Sequence, residues 1–557
     1  MRSSAKVIGR PTASPYETTT PHPWAKLEEC ESLARAINAR RTPTWPSPLT
    51  GDVPRKEITD TLIAYYLSST DAIYRILHIP TFYRDYEALW VMGATPNASF
   101  LVLFKLVMAI GAIVNDRRFT LRVSAIRWVY EAQSWVAQPK FKSRLDLQSL
   151  QIDILLLIAQ ERLSIGEPMC ISVGALVRKA ICMGLHKDPT HTPLARTVLV
   201  AEMRRRLWNT ILELSLLSSL TSGGPPLISL DDFDTAPPGN FNDNQLTAGN
   251  PIPKPEDHYT GSSIAIWFRR TFPIRLAVVK HINGLALSQT TYRETLLLDA
   301  ELRTAFREID EAVQACRGPD RPVVPSPPKF RAMDFLVHQI TLSLHAPYFG
   351  PSLKEAAYAF SRQAVVDSSL KLFRTAYPKI TLSVDHDGDI SRLCHSSAGF
   401  YPNATFEAAF MIAVELRAQL HGDTLGPVSM RSDLLSVLDD EAPAWACMRS
   451  LAGETNVKGY LLLRFLSVQI AAPLLSRNEE ILANAQEQIT KEAEETCVDV
   501  LQRMLYRLDQ KREPELVYFG TLVEGGEEEF ERYDDTSELG EPESMHVKFN
   551  DVSPGLW

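Results

Sequence analysis

The 557-residue chain is expected to be all-α, with one large helical domain between a leader and an acidic tail. Three observations carry that expectation. Long segments repeat apolar residues at helical spacing, with few alternations of the β type. Glycine and proline clusters fall where the repeats stop. A hydrophobic fraction of 45% supplies enough apolar surface for a substantial core.

Residues 1–55 are rich in Pro, Ser and Thr, as in TPTWPSPLTGD (42–52). They read as a mostly disordered leader with one short helix at KLEECESLARAINAR (26–40). The body spans 56–515. RLDLQSLQIDILLLIAQERLS (144–164) is its first long helix of clear periodicity. LVAEMRRRLWNTILELSLLSSL (199–220) places Met203, Leu207, Ile211 and Leu214 on one stripe. Gly223 and Gly224, followed by Pro225 and Pro226, end it. AFSRQAVVDSSLKLFRTAY (359–377) behaves alike, and FEAAFMIAVELRAQLHGD (406–423) stops at Gly422. GYLLLRFLSVQIAAPLL (459–475) is apolar nearly all round and is expected at the centre of the core. Loops are expected at 223–262, 317–329 and 380–404, with a boundary between two lobes near 320–330. No repeat of fixed period is found. Residues 516–557 read as a solvated, disordered tail.

Charge is unevenly placed. Residues 521–557 hold eleven acidic and two basic residues, a net −9 that equals the formal charge of the whole chain. The body is therefore neutral and lacks an overall electrostatic footprint for nucleic acid. Seven scattered cysteines, the closest pair twelve apart, contain no C-x-x-C and fit reduced thiols. The most membrane-like run, LVLFKLVMAIGAIV (101–114), is fourteen residues long and holds Lys105. It is too short and too polar for a span, so no membrane partner is expected.

Candidate chemistry is sparse. G-x-G-x-x-G, a Walker loop, H-E-x-x-H and G-x-S-x-G are all missing. His186, Asp188 and His191 in GLHKDPTH could start a metal site, but further ligands are not evident; His186 equally suits a helix C-terminus. His78 could be a base, yet no nucleophile pairs with it. Its structural reading is a packed residue ahead of a proline-started helix with Phe82, Tyr86, Leu89 and Trp90 on one face. Asp231, Asp232 and Asp234 in SGGPPLISLDDFDTAPPGN (222–240) lack the spacing of a calcium loop. They read as a structural turn in which Asp231 caps backbone donors and Pro237–Pro238 fix the path. No catalytic residue, metal ligand or cofactor site is assigned.

At this loop the sequence resembles the middle homology region of fungal-specific transcription factors. The resemblance rests on Arg206, Trp208, Ser222–Pro226, Asp232–Asp234 and Pro238–Asn240. HIPTFYRDYEALW (78–90), VRKAICMGLHKDPT (177–190) and MDFLVHQITLSLHAPYF (333–349) with SRQAVVDSSLKL (361–372) resemble further family segments in the same order, and GETNVKGYLL (453–462) is similar to the same group. The resemblance covers about 56–515. It implies an all-α regulatory domain that acts in the nucleus, without catalysis, on pathway genes such as a secondary-metabolite cluster. It also makes the aspartates architecture.

Family members usually carry an N-terminal zinc cluster, C-x2-C-x6-C and a second such half. Here only Cys30 precedes Cys170, so no zinc ligand is carried over. Arg35, Arg40 and Arg41 read as a solvated helix face. The N-terminus falls where a linker after such a cluster is expected, and direct DNA contact would need a domain upstream. Three functions follow for comparison. One is a transcriptional regulator working through coactivators, with Phe530, Tyr533, Leu539, Met545, Phe549 and Trp557 as apolar anchors in an acidic activation segment; a plain disordered terminus explains that composition equally. The second is a partner or ligand-sensing module that heterodimerises with a complete zinc-cluster factor. The third is an all-α enzyme, for which no catalytic set can be assembled.

Overall fold

The computed structural model describes residues 26–518, except 92–95, 116–117, 140–144, 192–196, 285–290, 317–326, 379–388, 421–430, 476–478 and 511–515. It is all-α, as expected, apart from a short ribbon in which Asp52–Pro54 pairs antiparallel with Leu516–Tyr518.

The helix at the centre is Ala98–Asn115, the segment dismissed above as a membrane span. It is long and apolar enough to cross a bilayer, but 83% of it is buried inside the protein. Every residue from Phe100 to Val114 is buried. The helices Lys56–Tyr66, Arg122–Val136 and Leu147–Leu163 pack around it. Gly111 permits a close approach of helix Lys56–Tyr66: a Cβ there would lie 2.0 Å from the carbonyl oxygen of Leu62. Lys105 is tolerated because its ammonium is fully used. It bonds the Glu131 carboxylate and donates to the Thr50 carbonyl at 2.6 Å.

Helix Lys458–Leu475 takes a more peripheral place than its composition suggests. Leu461, Leu463, Val468 and Ile470 are buried, whereas Leu462, Phe465 and Leu466 are only half-buried. One buried cluster runs from Val53 to Ile470 and draws on both sides of the boundary expected near 320–330.

Residues 26–55, assigned to a leader by composition, contribute to the body. Helix Leu27–Arg41 seats Cys30 and Ile37 against Cys497 and Leu501 of helix Glu479–Asp509. The two helices run parallel: Lys26 meets Glu495 and Arg40 meets Asp509, both 469 residues apart. The proline-rich stretch after the helix is tied down, its Ser47 N–H donating to the Ser134 hydroxyl at 2.9 Å, and Val53 just beyond it is fully buried. Local composition reports the missing helix there, and cannot report docking. The rest of the leader (1–25), the tail from 519 and the stop at Gly422 lie outside the described residues.

Candidate functional site: a clasp of buried charges

Helix Val198–Ser222 starts at Thr197, whose side chain accepts from Val200 N–H, and ends at Gly223 with φ 73°. The expected stripe of Met203, Leu207, Ile211 and Leu214 is buried. So are Glu202, Arg206 and Glu213, which a one-sided amphipathic helix would expose. A buried charge needs a partner and full hydrogen bonding, or it costs several kcal/mol. The partners come from three other segments.

Arg206 donates from Nε to Glu202 at 3.1 Å, from Nη1 to Asp243 at 2.8 Å and from Nη2 to the Ser262 hydroxyl at 3.1 Å. Asp243 also bonds Arg75 and accepts the Ile79 N–H at 2.8 Å. Arg75 has φ 55°, in the left-handed region, after the π-helical turn Leu67–Asp71. Its other Nη reaches Asp71 at 3.2 Å, and Asp71 accepts the Leu77 N–H at 3.0 Å. Glu202 accepts the Gly239 N–H at 3.0 Å. The chain Asp71–Arg75–Asp243–Arg206–Glu202 thus ties three segments that are far apart in sequence. Burial pushes the Asp71 and Glu202 carboxyls up. Burial also acts on Asp243, but Arg206 and Arg75 outweigh it and hold that carboxyl below its ordinary range.

His78 belongs to the same clasp. It caps helix Ile79–Leu89, which carries Pro80 in its first turn and buries Phe82, Tyr86 and Leu89. Its Nδ1 meets the Thr81 hydroxyl at 2.7 Å and its Nε2 the Asp243 carbonyl at 3.1 Å. Both ring nitrogens are engaged, and burial lowers the pKa. This is a locked position rather than that of a base meeting a substrate.

The aspartate loop forms a second zip. Asp234 N–H donates to the His186 carbonyl at 3.0 Å, and Asp188 N–H donates back to Asp234 at 2.7 Å. Asp188 accepts a bidentate pair from Arg205 at 2.8 and 2.9 Å, together with the Ala236 N–H. Asp234 also meets His191 at 2.9 Å. The cap of the loop is made by Asp232, which accepts the Ser229 N–H at 2.6 Å; this corrects the expectation for Asp231. Asn240 closes the following turn, donating to the Lys254, Pro255 and His258 carbonyls. Trp208 packs edge-on to Phe233, with centroids 5.8 Å apart, and lies 6.4 Å from His186.

Further along the same helix, Glu213 and Arg275 form a bidentate pair with both bonds at 2.7 Å. The structure therefore places His78 and Arg206 in the clasp and His186, Asp188, Asp234 and Trp208 about the aspartate loop, with Asp232 capping that loop and Asn240 closing the turn after it. Arg75, Glu202, Asp243 and Arg275 were missed in the sequence. The available signal was Arg206: a charge beside an apolar stripe implies a distant counterion. Chemically the arrangement fixes the mutual orientation of its elements.

The family description that matches residues 63–317 is fungal specific transcription factor domain. Among curated proteins, the chain is 33% identical over 408 residues to transcription factor opdR of Penicillium oxalicum, covering 71% of this chain and 51% of that protein. It is 30% identical over 526 residues to transcription factor lepE of Aspergillus flavus, covering 90% and 62%. It is 30% identical over 403 residues to the aspyridones cluster regulator apdR of Emericella nidulans, covering 69% and 53%. The chain thus spans about half to three-fifths of the length of these relatives. No solved structure matches it.

Proposed function

We propose, from the premise that residues 63–317 belong to the fungal specific transcription factor domain family, that this chain is the regulatory portion of a nuclear transcription factor for pathway genes. One observation carries the reading. Three of the segments that resemble the family, 78–90, 177–190 and 204–243, are held together by the buried clasp and the aspartate loop, which supports reading them as one braced regulatory unit. The pathway is of the secondary-metabolite kind, by analogy with the aspyridones cluster regulator. The domain acts by presenting surfaces to transcription machinery and not by catalysis. DNA is reached through a zinc-cluster module, either joined to this chain or supplied by a partner. The acidic segment 521–557, with Phe530, Phe549 and Trp557 among its charges, supplies the coactivator contact.

The test is a tethering assay. The chain is fused behind an unrelated DNA-binding module and read on a reporter carrying that module's site. Reporter output is expected above the module alone, and reduced when residues 519–557 are removed. A fusion that is folded, nuclear and bound at the reporter, yet leaves output at the level of the module alone, would overturn the reading of an activator.

A further inference from the structure

Two cavities lie beside helix Val198–Ser222. The one at Glu213 and Arg275 holds about 40 Å³, room for little more than water. The other, of about 490 Å³, is within the range of small-molecule sites. It lies between helices Met169–Cys182 and Val198–Ser222, under the loop that carries Leu227 and Asp232.

Its walls combine features that the clasp does not use. Val177, Ile181, Leu227 and Ile228 make an apolar surface. Trp208 lines it, is 1% exposed, and has an Nε1 without a hydrogen-bond partner among the described residues. His186 lines it too, and its Nδ1 is likewise unpartnered. Trp128 and Trp445 also have unpaired ring nitrogens, but line neither cavity. An indole N–H can only donate, so what completes Trp208 must offer an acceptor. Arg178 and Asp232 balance in charge, and burial lowers the His186 pKa, which favours the neutral ring. The lining therefore has no net charge. Gly174 keeps the cavity wide: a Cβ there would meet only Leu227 Cδ1, at 4.0 Å. Leu227 and Ile171, more than half exposed, add apolar surface on the loop and on the helix that bears Gly174.

We infer that this cavity binds a neutral, largely apolar small molecule bearing a carbonyl acceptor that the Trp208 N–H can reach. The inference goes beyond the regulatory reading and is tested without any reporter.

The probe is 6-propionyl-2-dimethylaminonaphthalene, a neutral aryl ketone whose emission responds to polarity and hydrogen bonding, titrated into the full chain. Saturable binding with blue-shifted emission is expected. Gly174→Phe fills the cavity and weakens binding at least about tenfold. Gly174→Ala, whose methyl has room, stays within about twofold by the same measure. Both should melt no lower than the parent. Should Gly174→Phe fail to fold, Leu227→Trp, on an exposed loop, narrows the cavity with the same expected loss. Trp208→Phe removes the donor, so emission of the bound probe should move further to the blue. Absence of saturable binding to the parent, or undiminished binding to a folded filled variant, overturns the site. Unchanged emission in Trp208→Phe overturns the indole contact.

Discussion

Around Arg206, charged side chains from three segments lie buried and linked by hydrogen bonds. Along the parallel seam between helices Leu27–Arg41 and Glu479–Asp509 the arrangement is inverted. Cys30, Ile37, Cys497 and Leu501 make the buried contact, and the ion pairs Lys26–Glu495 and Arg40–Asp509 face solvent. The difference teaches where charge carries consequence. A buried pair gains little over a well-packed apolar pair, yet losing one member strands the other in a low dielectric. An exposed pair can lose a member at almost no cost, because water replaces it. The clasp should therefore be brittle toward charge removal, and the seam brittle only toward loss of apolar volume.

The sharpest way to break this contrast is Arg206→Met. It leaves Glu202 and Asp243 without their shared cation, and about 3–5 kcal/mol of stability should disappear in denaturant unfolding. A loss below about 1 kcal/mol, the level of a surface pair, would show that the clasp is not brittle. Next comes Leu501→Ala in the seam, expected to cost about 2–5 kcal/mol. Hydrogen exchange should place the lost protection in 27–41 and 479–509; loss spread equally through the clasp would mean that the two regions are not separate.

Asp188→Asn comes third, at about 1.5–3 kcal/mol near neutral pH, the range for hydrogen bonds to a charged group. Burial alone would raise the Asp188 carboxyl, but Arg205, Thr190 and the Ala236 N–H hold it well below its ordinary value of 3.8. A carboxyl depressed on folding contributes fully above its unfolded pKa, and that contribution fades as pH falls toward the folded value. The gap between parent and variant should thus be widest above pH ~4 and close below it. A gap that does not vary with pH would remove the ionised carboxylate from the account. Smallest is Lys458→Ala, which deletes an exposed pair with Glu31 and should cost less than about 1 kcal/mol. A larger loss would mean that surface charge matters to the seam after all.

Much of the helical frame was legible. Helix Val198–Ser222 could be read from its apolar stripe and its Gly223 stop, and Leu147–Leu163 and Ala359–Ala376 from periodicity. Depth was not legible. Ala98–Asn115 and Lys458–Leu475 are both apolar all round, yet only the first is enclosed on every side. Hydropathy measures what a helix tolerates; its neighbours decide what it receives. The aspartate loop was read as architecture, and its atoms bear that role. The choice of Asp231 as cap failed because a capping box pairs positions three apart, here Ser229 and Asp232. Asp243 was invisible because its cations lie 37 and 168 residues away, beyond any local pattern.

The parallel seam has a mechanical corollary. Tension applied between residues 26 and 518 would load helices Leu27–Arg41 and Glu479–Asp509 from opposite ends, so their contacts must slide past one another together. The same tension meets the ribbon at its paired residues Asp52 and Tyr518, at one end, and would part its rungs one at a time. Held between two beads, the molecule should yield at the ribbon under light load and at the seam only under heavy load. A tether that opens both in one step would mean that ribbon and seam bear load as one body.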